Sequence, residues 1–314
     1  MKARICFILI LPLVCLTESN AGSNLNVVVS IKPFHSLVSG IMLGVTKPVL
    51  LLNGKFSPHG YSLRPSDAEE LQKADLVIWG GKTLETLLTK PIHSLAKNAL
   101  QVSLQETPGL KLWPIVAEND LEKSDKKSNH EHEVSSEHKK SIHSGDDPHI
   151  WLDPNNAKAI TLNLVKLLSD LDPVNEQIYQ SNGKITVSRL DELDQQLIAE
   201  MNDISDYGYL VFHDAYQYFE RRYQLKTFGA VTYQIEHALS ASRLREVQKT
   251  IKNNEIRCIF TEPQFSQKLV QTLTEGTSVK IGSLDPIGYN IHAGPELYFT
   301  LLKNLSFSLR SCLN

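Results

Sequence analysis

The chain has no excess of positive charge: 32 lysines and arginines stand against 35 aspartates and glutamates in 314 residues, a formal charge of −3. That leaves no basic footprint for DNA or RNA. Nor is the N-terminal apolar run, Ile5 to Leu16, long enough to cross a bilayer. Its twelve residues make a helix of about 18 Å against a hydrocarbon core of roughly 30 Å. There is no G-x-S-x-G, no H-E-x-x-H and no phosphate-cradling glycine loop, so common signatures of hydrolases, zincins and nucleotide binders are missing. What is present, 41% hydrophobic and 21% charged residues, excludes a disordered or fibrous chain, and the length suits two domains.

Lys2 and Arg4 precede the apolar run, and Ser19-Asn20-Ala21 follows it with small residues. This is the order of a signal peptide over residues 1–21, cut near Ala21, and it predicts an exported protein. Of the four cysteines, Cys6 and Cys15 leave with that segment, and Cys258 and Cys312 remain. An oxidising compartment favours bonding them.

From Asn26 onward short β-branched runs alternate with amphipathic stretches, the pattern of an α/β fold with mainly parallel sheets. Predicted strands are Val27 to Ile31, Val49 to Leu52, Leu76 to Trp79, Tyr209 to Phe212, Cys258 to Phe260 and Val279 to Leu284. Ser66-Asp67-Ala68-Glu69 has capping-box spacing for a short helix toward Lys73. Asp153-Pro154 opens a longer one, and Asp172-Pro173 ends it and opens another, because proline suits the first helical turn. In that second helix Leu190, Leu193, Leu197, Met201 and Ile204 step at three and four residues. It reads either as a strut between lobes or as one arm of a helical hairpin. The domains expected are an N-terminal lobe (22–173), a linking helix (174–203) and a C-terminal lobe (204–314).

Residues 117–147 are acidic and poor in apolar side chains, and contain His130, His132, His138 and His143. The segment reads as a surface loop, either a solvated charged insertion or an auxiliary weak site for a divalent cation.

Three further histidines hold special places. His59 follows the second strand, His149 lies between the acidic loop and a helix, and His213 directly follows the strand Tyr209 to Phe212. Ligands of open α/β sheets bind at the carboxyl ends of strands. Asp285 follows the last strand and is a candidate fourth group; Glu262 ends another strand and could hydrogen-bond an imidazole. Three neutral imidazoles plus a carboxylate or water suit Zn2+, and added hard oxygen donors suit Mn2+ better.

Around these residues the sequence resembles the ZnuA family, the periplasmic zinc-binding receptors of ABC importers, within a wider class of receptors for zinc and manganese. The matching stretches are Pro58 to Asp67, His149 to Pro154, Phe212 to Phe219, Phe260 to Phe265 and Leu284 to Pro286. The resemblance implies two (β/α) lobes joined by one long rigid helix, a single metal in the cleft with His59, His149 and His213 as ligands, and delivery to a membrane permease. It also implies a monomer, an acidic histidine-rich loop and the Cys258–Cys312 disulfide. Some members carry a glutamate before the first ligand histidine. Here that position is Pro58, so the fourth ligand is Asp285 or water. Residues 235–243 also depart from the proline-containing version of the family. The rival readings are a manganese receptor, a zinc-dependent hydrolase or lyase using the open coordination position, and a metal buffer built on the loop alone.

Overall fold

The computed structural model describes residues 25–53, 56–115, 145–233 and 239–314. The expected signal peptide, His130, His132, His138 and His143, and residues 235–238 lie outside the described residues.

Each half of the described chain builds a four-stranded parallel sheet. The first contains β1 (Val27–Val29), β2 (Val49–Leu50), β3 (Leu76–Trp79) and β4 (Leu100–Ser103), in the order β2-β1-β3-β4. The second repeats the pattern with β5 (Gly208–His213), β6 (Thr227–Thr232), β7 (Ile256–Thr261) and β8 (Lys280–Ser283), in the order β6-β5-β7-β8. The central strands are continuous apolar runs because parallel sheets are covered on both faces. Val27, Val28 and Val29 and all of Leu76 to Trp79 are buried.

In the first half α1 (Lys32–Ile41), α2 (Pro65–Lys73) and α3 (Thr89–Leu95) connect the strands. The middle of the chain is helical, with α4 (Pro154–Leu171) and α5 (Glu176–Asn202). In the second half come α6 (Gln217–Arg222), α7 (Ala241–Asn253), α8 (Lys268–Thr274) and the C-terminal α9 (Leu297–Leu313). Among the described residues no helix is long and apolar enough to cross a membrane.

The 27 residues of α5 make about 40 Å of helix. It packs on α4, α1 and α9 through Tyr179, Leu190, Leu193, Leu197 and Met201, all buried. The contact with α4 is close at Gly183, where a Cβ would stand 2.4 Å from Val165 Cγ2. Asp153 caps α4 by accepting the Asn155 amide at 2.8 Å, and Pro154 fills the first turn. Asp172 ends α4 and accepts from Asn175 Nδ2 and Tyr179 Oη, at 2.8 and 2.7 Å, which stitches the turn into α5.

The helix α9 returns to the first half: it lies against α1 and α5 as well as β7 and β8. Cys312 of α9 is disulfide-bonded to Cys258 of β7. Most of the core is one apolar cluster running through both halves, and a smaller one joins the second sheet to α7 and α8.

Several expectations need correction. Two strands were not foreseen: β4, half-exposed at a sheet edge, and β6, whose pairing with β5 shifts register where Gly229 takes a φ of 92°. Strand β2 spans only Val49–Leu50. Helix α2 starts earlier than the Ser66 capping box implied, at Pro65 with Arg64 as its cap residue. Asp67, in its third position, accepts the Arg64 amide at 2.9 Å. Finally, His213 is the last residue of β5, not the residue after it.

Candidate metal centre

His59, His149 and His213 come together from places 90 and 64 residues apart in sequence. One nitrogen from each lies within 4.8 Å of the other two. The ring centroids are 5.3 Å apart for His59–His149, 5.4 Å for His59–His213 and 5.0 Å for His149–His213. His59 Nε2 and His149 Nε2 stand 3.2 Å apart. Two nitrogens at roughly 2.0 to 2.1 Å from one tetrahedral ion would be about 3.3 Å from each other.

Each imidazole is held by its own local device. His59 sits in a single 3-10 turn, Pro58–Gly60, with the proline in the first position. Next to it Tyr61 Oη donates to Asp67 Oδ2, which staples the turn to α2. Burial first, and then Asp67, push the Tyr61 hydroxyl up to about 12, so it remains a donor at neutral pH.

His149 caps the 3-10 turn Ile150–Leu152. Asp147 Oδ1 accepts from His149 Nδ1 at 2.7 Å and from its backbone amide at 3.0 Å. With the proton on Nδ1, the Nε2 lone pair faces the cluster. The second half of the chain grips this orienting carboxylate. Gln217 Nε2 of α6 donates to Asp147 Oδ2 at 3.2 Å and to Pro114 O at 3.1 Å, and Tyr218 Oη donates to Asp147 O at 2.8 Å. Backbone bonds from Ile115 N to Gly145 O and from Asp147 N to Trp113 O form a paired neck beside the site.

His213 projects from the end of β5, and its Nδ1 lies 3.3 Å from Glu262 Oε1 at the end of neighbouring β7. Gln264 Nε2 donates to the other Glu262 oxygen. Glu262 is 1% exposed.

The electrostatics favour a cation. Burial, and then the charge on the neighbouring imidazoles, hold His59 and His149 well below the ordinary histidine value, so both rings are neutral at pH 7. Burial also raises Asp147, which holds His149, and Asp214, next to His213, to about 7, and Glu220 of α6 to about 8.

Asp285 lies outside the histidine group. Its Oδ1 accepts the amides of Ile287 and Gly288 at 3.2 and 2.9 Å.

Sequence reasoning missed Asp147, counting it among the charges of the acidic loop; its position two residues before His149 was the available signal. It also missed Trp151, whose Nε1 donates to Pro286 O at 2.7 Å and whose carbonyl accepts from Tyr298 Oη at 2.6 Å. These bonds span more than 130 residues and leave no local trace.

The sequence matches the family ZnuA, zinc-uptake complex component A periplasmic, over residues 27–312. The "High-affinity zinc uptake system protein ZnuA" of Brucella suis is 40% identical over 320 residues, covering 95% of this chain and 94% of that protein. The protein of the same name from Yersinia pestis is 32% identical, with 91% of each chain covered. Among solved structures, a crystal structure of ZnuA superposes with a TM-score of 0.75 at 22% identity, covering 93% of this chain and 100% of the other. FpvC from Pseudomonas aeruginosa, solved in complex with Mn2+, superposes with the same TM-score at 21% identity, covering 92% of this chain and 99% of the other.

Proposed function

Because the chain belongs to the ZnuA family of periplasmic zinc-uptake components, we propose that it is a high-affinity Zn2+ receptor that delivers its cargo to the permease of an ABC importer. The observation that carries this reading is the convergence of three imidazole nitrogens within 4.8 Å, with two of the rings backed by buried carboxylates. His59, His149 and His213 are the ligands. Solvent takes the fourth position while Asp285 keeps its backbone partners. Neutral nitrogen donors with few oxygens favour zinc over manganese. The organisation in lobes 22–173 and 204–314 about the helix 174–203, export by cleavage near Ala21, a monomeric state and a weak accessory site at His130, His132, His138 and His143 belong to the same reading.

The site binds without turnover. Its side chains orient the ligands, and the sequence carries no second constellation for activating a substrate. Capture is favourable because the ligands are held close to their bound arrangement, so little ordering opposes it.

Elemental analysis of the purified mature protein, followed by calorimetric competition between zinc and manganese, tests the proposal. One zinc per chain, resistant to excess manganese, is expected. His59→Ala or His213→Ala should weaken zinc binding by orders of magnitude. Near-native affinity in either variant refutes the ligand assignment, and manganese displacing zinc makes the chain a manganese receptor.

A further inference from the structure

Lys32 opens α1 in the first half of the chain, yet its ammonium donates to three backbone carbonyls of the second half, Gly288, Tyr289 and Ile291, each at 3.0 Å. Three donors meet three acceptors, so the ammonium is saturated. Those carbonyls belong to the turn that follows Asp285. Within the turn Asp285 Oδ1 takes two backbone amides, and Gly288 has a φ of 75°, a left-handed conformation that glycine adopts without strain. The Lys32 charge also acts on Asp285, opposing the rise that burial imposes on this carboxyl. Asp285 stands at the same carboxyl end of the sheet as Glu262: Leu284 N donates to Thr261 O at 2.9 Å. A hard oxygen donor therefore stands beside the strand end that carries Glu262, with its Oδ1 engaged by the backbone of its own turn.

We propose that Lys32 is a specificity-determining residue. By clamping the 285–289 turn from the opposite half of the molecule, it keeps the Asp285 carboxylate away from the bound cation and leaves the site with nitrogen donors. The inference rests on the reading that His59, His149 and His213 bind the metal. Its chemistry follows from donor hardness: imidazoles suit Zn2+, whereas an added carboxylate and a larger coordination number suit Mn2+. Withholding one oxygen discriminates against manganese without touching the zinc ligands.

The test is Lys32→Met in the full mature chain, titrated by calorimetry with Zn2+ and separately with Mn2+, with Mn2+ binding also followed by electron paramagnetic resonance. The expected result is a gain of at least tenfold in Mn2+ affinity and a smaller change for Zn2+. Adding Asp285→Asn to Lys32→Met should abolish the gain. Should methionine prevent folding, Lys32→Gln, which keeps two donors, should give a smaller gain that Asp285→Asn also cancels. An unchanged zinc-to-manganese ratio in a folded Lys32 variant overturns the inference, as does a gain that survives Asp285→Asn. Failure of the wild-type chain to bind zinc in the same titrations strikes instead at the ligand assignment.

Discussion

Replacing Asp147 with alanine should weaken zinc binding ten- to a hundredfold while leaving all three imidazoles in the chain. The carboxylate touches no metal in this reading; it acts through His149, accepting the Nδ1 proton at 2.7 Å and the amide at 3.0 Å. Losing it frees the imidazole to rotate and to exchange its proton between nitrogens, and it removes a charge that strengthens Nε2 as a donor. Second-sphere partners of ligating histidines typically contribute 10- to 100-fold in affinity, or about 1.4 to 2.7 kcal/mol. His149→Ala, which deletes the donor atom itself, should cost more. Asp147→Asn keeps an acceptor oxygen and should fall between wild type and Asp147→Ala. Competition against a chromophoric zinc chelator at pH 7.5 measures all three variants, and the melting temperature of the zinc-free proteins reports any loss of the neighbouring neck. An Asp147→Ala protein that melts normally and binds zinc within threefold of wild type would refute the idea that this carboxylate sets the site.

Glu220, raised to about 8 chiefly by burial, holds a proton in the fold that an ordinary glutamate releases near 4.3. The folded chain thus loses stability as pH rises through that interval, by about 1.4 kcal/mol per pH unit. Glu220→Gln should therefore gain on wild type by that amount per unit between pH 6 and 8, measured by urea denaturation without metal; parallel pH profiles would contradict it. Gly183→Ala gains about 1 kcal/mol of helix propensity, but its Cβ meets Val165 at 2.4 Å, and overpacking costs about 1 to 3 kcal/mol. Its melting temperature should fall by a few degrees, and a rise would show that α4 and α5 separate freely. Replacing both Cys258 and Cys312 with serine opens a loop with a sequence separation of 54, worth roughly 4 kcal/mol in the chain-entropy account. Unfolding in denaturant should shift accordingly while zinc affinity stays near wild type, and unaltered stability would remove the disulfide from the account.

The parts of the site written in local sequence were legible. A histidine beside a strand end, a proline opening a turn and Asp153-Pro154 opening a helix each carry their meaning within a few residues. The α/β class followed from runs such as Val27 to Val29 and Leu76 to Trp79, buried on both faces. Edge strand β4 was not legible, because Leu100, Gln101, Val102 and Ser103 mix exposed and half-buried positions. The supports of the metal centre were hidden for a different reason. Gln217 reaches Asp147 across 70 residues and Lys32 reaches the 288–291 carbonyls across more than 250, so only the tertiary fold makes them neighbours. Asp285 was legible as a strand-end candidate from its residue type and place, whereas its bonds to the amides of Ile287 and Gly288 appear only in the folded turn.

The paired neck at Ile115–Gly145 and Trp113–Asp147 has a practical consequence for anyone who wants to rebuild this protein. Residues 115 and 145 are adjacent and joined by backbone hydrogen bonding, so sequence inserted between them need not change the spacing that the rest of the molecule demands. A fluorescent domain or an affinity peptide grafted there would enter as a cartridge, one backbone rung away from the carboxylate that aims His149, and could report on cargo without altering the chelating residues.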